Sequence, residues 1–316
     1  VHTGLLEFKN VYRPARVVSY DQNTGEVTLH NYMDFLNLKD YLTVSWEVLC
    51  DGVTVAEGCV EDPAVLDIPA HGEGSFRMPV EVPERGKAAL KVSYALKESR
   101  GVLPEGFALG FDEVALETGE NVNQIVKTIL EKRTNSAPEV VEEDAYVILS
   151  GGGWRYVYDK RTGLFDQMVY GGQNLLEQPM NYNIWRAPTD NDRNIKKEWM
   201  EAQYDRTSAR AYGTTVTEKD GCAVIESDLS VAAIYAQRIL EIHAEWTVAG
   251  DGTVDVRLDV ARTPHFPFLP RFGLRLFLPG SMEKVTYCGI GPNESYKDKR
   301  QSGYHGVFRT DVEGMY

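Results

Sequence analysis

The chain has 316 residues, is 43% apolar and 25% charged, and carries a net charge of −14. So acidic a chain repels phosphate, which argues against nucleic-acid binding. The length suggests two domains. No run of about 18 apolar residues is present, so no membrane-spanning helix is expected.

Val1–Leu6 has neither the basic start nor the long apolar core of a signal peptide. That leaves the compartment undetermined. The four cysteines, Cys50, Cys59, Cys222 and Cys288, lack zinc-site spacing and read as free thiols. Cys50 and Cys59 flank an Asp51-Gly52 turn, which suggests that they face each other across a hairpin.

Residues 1–117 read as strands. Alternating apolar and polar positions mark Glu26–His30, Leu42–Leu49, Val53–Glu57, Ser75–Val80, Ala88–Leu96 and Phe107–Ala115. Asp51-Gly52 is hairpin chemistry. About seven short strands separated by turns predict an immunoglobulin-like β-sandwich, with Trp46 as core filler.

Residues 118–144 change character. A polar turn, a short helix over Val122–Lys132 and an acidic run from Glu139 to Asp144 read as an interdomain connection. Residues 145–316 return to strands. Trp154–Asp159 and Leu164–Tyr170 form a hairpin about Lys160–Gly163. Thr214–Glu218, Ala223–Ser227, Ile234–Val248, Thr253–Val260, Leu274–Leu278 and Lys284–Cys288 follow, with a short helix at Lys196–Tyr204. Strands this long favour a large two-sheet sandwich.

Within this second domain lies Asn183–Asp192, read Asn-Ile-Trp-Arg-Ala-Pro-Thr-Asp-Asn-Asp. A flat indole, a five-donor guanidinium, a rigid proline and a dense polar run suit either sugar binding or a self-braced loop. The stretch resembles a motif at the start of the C-terminal domain of multidomain bacterial β-galactosidases of glycoside hydrolase family two. Gly289–Arg300 resembles a second motif of that domain, in the right order. The opening Gly4–Pro14 resembles the segment that leaves the catalytic barrel.

That resemblance extends over nearly the whole chain. It implies an all-β chain: an immunoglobulin-like β-sandwich followed by a galactose-mutarotase-like β-supersandwich. The family domain continues past a Met-Tyr such as Met315-Tyr316, so a truncated supersandwich is implied. Retaining glycosidases need two carboxylates about 5–5.5 Å apart. In the family this pair lies on barrel strands, none of which the sequence resembles, so no catalytic residue is expected here.

By the same resemblance the chain is a non-catalytic C-terminal part of an enzyme cleaving terminal β-D-galactosides. It would pack on the barrel of the same chain, shape the active-site mouth and enter a homo-oligomer. Trp185, Arg186, Asp190, Asn191, Asp192 and Glu294 become substrate-side candidates. The structural alternative is an Asx-capped helix start at the loop, and at Glu294 a bend locked by Arg300. Magnesium and sodium ions of intact members are implied to bind elsewhere, so no cofactor or metal is expected here.

Two other readings remain. One is a free-standing carbohydrate-binding module. The other is a mutarotase-like epimerase using His265 or His305 with Glu294.

Overall fold

The computed structural model describes residues 2–119 and 137–315. The helix expected over Val122–Lys132 lies outside them. The described chain is built from antiparallel sheets, as the alternation requires. It divides into two compact units: Val1–Thr128 with Glu283–Tyr316, and Ile129–Met282. Among the described residues, no helix is long and apolar enough to cross a membrane.

Between Ala15 and Leu116 the first unit holds seven strands in two sheets. β1 (Ala15–Asp21), β2 (Glu26–Asn31) and β5 (Glu73–Arg77) form one, in the order β1-β2-β5. β3 (Leu42–Cys50), β4 (Val53–Cys59), β6 (Ala88–Leu96) and β7 (Ala108–Leu116) form the other, in the order β4-β3-β6-β7. Alternate residues of β3 and β6 turn inward: Leu42, Val44, Trp46 and Val48 meet Leu90, Val92 and Tyr94 in one apolar core. Trp46 is the filler expected. The β4 residue opposite it is Gly58, where an added Cβ would stand 2.5 Å from the indole.

The hairpin between β3 and β4 turns on Asp51 and Gly52, both at positive φ. A two-residue turn pairs Cys50 with Val53 and therefore sets Cys59 opposite Ser45. The two thiols do not face each other, and all four cysteines are free.

A helix, α1 (Thr3–Val11), precedes β1 and is polar-side-in. Its buried residue is Asn10, while Leu5, Phe8 and, just past its end, Tyr12 are exposed on one face. Asn10 exchanges hydrogen bonds with the backbone of Phe111: its Nδ2 donates to the carbonyl at 3.1 Å and its Oδ1 accepts the N–H at 2.7 Å. Arg13 follows with an ion pair to Asp112 at 2.5 Å. Asp112 Oδ2 also accepts from the Tyr94 hydroxyl at 2.6 Å and the Val17 N–H at 2.9 Å. Burial, then Asp112, pushes the Tyr94 phenol well up.

By its contacts, Glu283–Tyr316 groups with the first unit. Its core is a hairpin of β19 (Lys284–Gly291) and β20 (Tyr304–Asp311). The reason is long-range acceptors. The Glu7 carboxylate takes the N–H groups of Gln301 and Ser302 at 3.0 and 2.8 Å. Glu113 takes both the N–H and the Nδ1 of His305, at 2.8 and 2.9 Å.

The second unit is a larger sandwich. Its first sheet has the order β12-β11-β10-β9-β8, from β8 (Glu139–Glu142), β9 (Tyr146–Gly151), β10 (Trp154–Asp159), β11 (Leu164–Tyr170) and β12 (Gln173–Asn174). Part of the expected connection is therefore a strand, β8, whose four residues are all exposed. An acidic edge strand resists further pairing.

The opposing sheet is β14 (Thr207–Lys219), β15 (Cys222–Ala233), β16 (Leu240–Ala249) and β17 (Val254–Arg262), in that order. Ile234 to Arg238, expected as strand, instead turns the chain, with Tyr235 at a φ of 61°. Trp154, Tyr158 and Phe165 of one sheet pack with Leu229, Ile242 and Trp246 of the other. Phe165 meets Trp246 edge-on at 5.2 Å. A third pair, β13 (Gln178–Asn183) with β18 (Gly273–Phe277), carries the loop of interest.

Candidate functional site

Strand β13 ends at Asn183, whose Oδ1 accepts the Trp185 N–H at 3.2 Å and starts a turn. Ile184 is fully buried and anchors the loop, and Trp185 packs half-buried against the same core. The chain then passes through Pro188 into a short 3-10 turn, Asp190–Asp192, and continues into α2 (Ile195–Glu201).

Arg186 and Asp192 clasp the ends of this loop. Arg186 Nη1 donates to Asp192 Oδ2 at 2.5 Å and Nη2 to Oδ1 at 3.0 Å, a bidentate fork. The same Oδ2 accepts the Thr189 N–H at 2.8 Å and its hydroxyl at 3.0 Å. The Arg186 bonds first, then Thr189, hold the Asp192 carboxyl down to about 2 from its usual 3.8. A general acid at neutral pH needs the opposite shift, so Asp192 serves as a fixed anion.

The guanidinium of Arg186 also lies over the Trp199 ring, 5.5 Å from its centroid. Trp199, on α2, is fully buried and donates its indole N–H to the Phe268 carbonyl at 2.8 Å. Tyr204 donates to Pro267 O at 2.7 Å, and Arg186 Nε to Pro270 O at 3.3 Å. Prolines 264, 267 and 270 have no N–H to give. Three side-chain donors thus hold a strap that cannot pair by backbone alone.

Asp190 and Asn191 face solvent. With Pro188, Thr189, Arg193 and Lys196 they line an open polar cleft of about 540 Å³. The loop therefore divides its candidates. Arg186 and Asp192 are joined to each other, Trp185 lies on the core, and Asp190 and Asn191 present free oxygens and an amide.

Glu294 belongs to the first unit. Its Oε1 accepts the Thr3 hydroxyl at 2.7 Å and pairs with the Lys299 ammonium. Lys299, then Thr3, pull the Glu294 carboxyl below its ordinary value. The expected bend is closed by a Tyr296–Lys299 bridge, with Lys299 rather than Arg300 as the partner of Glu294. The sequence held no signal for Thr3, which lies almost the whole chain away. Of the histidines weighed with Glu294, His305 is engaged by Glu113, and His265 is exposed in the second unit.

The class is now defined: two antiparallel β-sandwich units, the second bearing a salt-bridged aromatic loop. The chain belongs to the β-galactosidase small-chain family, whose pattern matches residues 150–316. Residues 27–117 match the family described as β-galactosidase, domain 4.

Among curated proteins, a β-galactosidase of Actinobacillus pleuropneumoniae is 33% identical over 99% of this chain and 30% of its own length. One from Staphylococcus xylosus is 29% identical over 98% of this chain and 30% of its own. One from Kluyveromyces lactis is 24% identical over 98% and 28%. The chain thus spans about 30% of the length of the curated relatives it matches.

Proposed function

We propose that the chain is a non-catalytic portion of a β-galactosidase acting on terminal β-D-galactosides. It packs on the catalytic barrel, shapes the mouth of the galactoside site and takes part in a homo-oligomer. The observation that carries this is the end-to-end match to β-galactosidases at only 30% of their length.

The outward apolar face of α1 supports it. A helix that buries Asn10 and exposes Leu5 and Phe8 has its polarity reversed for a solvated surface. The barrel is the partner that this face fits. At the mouth, Asp190 and Asn191 reach the sugar, while Arg186 and Asp192 keep the loop in place and Trp185 seats it. Glu294 acts through its Thr3 and Lys299 contacts to hold its bend.

A nitrophenyl galactoside tests the proposal. The chain alone is expected to release no nitrophenol. Co-expression with the remaining length of the Actinobacillus pleuropneumoniae relative is expected to give hydrolysis. Turnover by the chain alone would refute it. Tight galactose binding by the chain alone, seen calorimetrically, would favour a binding module instead.

A further inference from the structure

Helix α1 turns its polar side inward, and Leu6, Lys9 and Asn10 line a cavity of about 430 Å³. The floor is the outer face of β3 and β6, the two central strands of their sheet, each paired on both sides. Small side chains pave it. Ser45 of β3 and Ser93 of β6 stand directly opposite one another. Neither hydroxyl has a hydrogen-bond partner among the described residues.

Asn293, Ser302 and Tyr304 make the remaining wall. This wall is tied to α1. The Glu7 carboxylate accepts the Ser302 N–H at 2.8 Å, and Asn10 Nδ2 donates to the Gln301 carbonyl at 2.6 Å. All the lining residues belong to the first unit. The cavity is therefore built by contacts within that unit, over strands that have no unpaired edge.

Its chemistry is one-sided. Two ammonium groups line it and no carboxylate does, although the chain as a whole carries a charge of −14. Both ammonium groups are held over rings: Lys91 lies 4.0 Å from the Tyr304 centroid, and Lys9 lies 4.5 Å from that of Phe107. Lys91 is 14% exposed and donates to Glu47 at 2.8 Å, which leaves further donors spare. Lys9 has no ion pair among the described residues. Donors already positioned lose little freedom on binding and favour an acceptor-rich anion. The two serines set a second requirement. A ligand that displaces the water on their hydroxyls must replace its hydrogen bonds, so the body of the anion is hydroxylated. Phe111 and Tyr304, edge to face at 5.6 Å, give the C–H face of a ring an apolar wall.

We propose that this cavity binds a sugar acid of hexose size, a ring that carries hydroxyls and one carboxylate. Lys91 and Lys9 take the carboxylate, and Ser45 and Ser93 take ring hydroxyls. The site is separate from the Arg186 loop, which belongs to the second unit, and it stands apart from the activity of any longer protein.

Calorimetry on the full chain tests it with three probes: D-galacturonate, D-galactose and acetate. Galacturonate is expected to bind with a Kd of about 1 mM. Galactose has the ring without the charge, and acetate has the charge without the ring. Each is expected to bind about tenfold more weakly or worse. Ser93→Val replaces a floor hydroxyl by a methyl group, and Lys91→Met removes the deeper charge. Each is expected to weaken galacturonate binding about tenfold. Phe8→Asp, on the outer face of α1, is expected to leave it unchanged. Thermal melts confirm folding, and Ser93→Val decides the location if Lys91→Met does not fold.

Absence of saturable galacturonate binding would overturn the site. Galactose binding as tightly as galacturonate would overturn the assigned charge, and acetate doing so would overturn the hydroxylated body. Unchanged galacturonate binding in Ser93→Val would overturn the cavity as its seat.

Discussion

Arg186 grips Asp192 through both ends of its guanidinium, six residues apart across a loop that begins on a strand and ends in a helix. This fork fixes which of the loop's polar groups are spent internally and which face solvent. It also gives the loop a pH signature.

The Asp192 carboxyl sits at about 2 in the folded chain, against an ordinary 3.8. A depressed carboxylate stabilises the fold fully above its unfolded value. That contribution fades as pH falls from about 4 through about 2. Asp192→Asn is therefore expected to lower the melting temperature at neutral pH and to remove part of its decline over that acid window. Melting curves of both proteins at a series of acid pH values check this.

Trp199→Ala removes a fully buried indole together with its bond to the Phe268 carbonyl. A loss of roughly 3–5 kcal/mol is expected for the second unit. Urea titration followed by fluorescence of the remaining tryptophans reads it. Trp199→Phe keeps most of the volume and should lose less, but not nothing, since the carbonyl is left without its donor.

Gly58→Val inserts a side chain where a Cβ alone would already stand 2.5 Å from the Trp46 ring. Overpacking of this kind costs about 1–3 kcal/mol. The expected result is a lower urea midpoint for the first unit. A combined Gly58→Val and Trp46→Leu change, which makes room, should cost less than the sum of the two singles.

Phe8→Asp should behave differently from all of these. Phe8 is exposed on α1, so the chain by itself is expected to keep its stability within about 0.5 kcal/mol. Hydrolysis on co-expression with the rest of the relative is expected to fall sharply. Equal activity of the altered and unaltered chains would remove α1 from the proposed barrel contact.

His243 offers a second pH marker. Its bond to Asp228 at 2.8 Å, then the nearby carboxylates, raises its pKa above the ordinary 6.5. Protonated, it stabilises the fold. That contribution is complete below about 6.5 and is lost as pH rises through the higher folded value. A proton NMR titration is expected to place His243 above 6.5 and to move it down in Asp228→Asn.

Much of the fold was legible because the signals were local. Asp51-Gly52 and the Lys160–Gly163 turn lie between alternating strands, and both hairpins formed as read. What stayed hidden depended on distant partners or on weak local pattern. β8 shows no apolar alternation, since all four of its residues are exposed, so it resembled a linker. The bonds of Gln301, Ser302 and His305 to Glu7 and Glu113 join partners that no local window contains. Within the loop, the residue types announced a polar site, but only the folded geometry divides Arg186 and Asp192 from Asp190 and Asn191.

The strap at Pro264–Pro270 carries one more implication. It is fixed at its carbonyls by Trp199, Tyr204 and Arg186, while the Phe266 amide donates only locally, to the Thr263 carbonyl at 3.1 Å. Three of its positions possess no exchangeable amide proton at all. Deuterium uptake would therefore under-report the order of this segment, and carbonyl-labelled infrared bands are the signal in which its rigidity becomes visible.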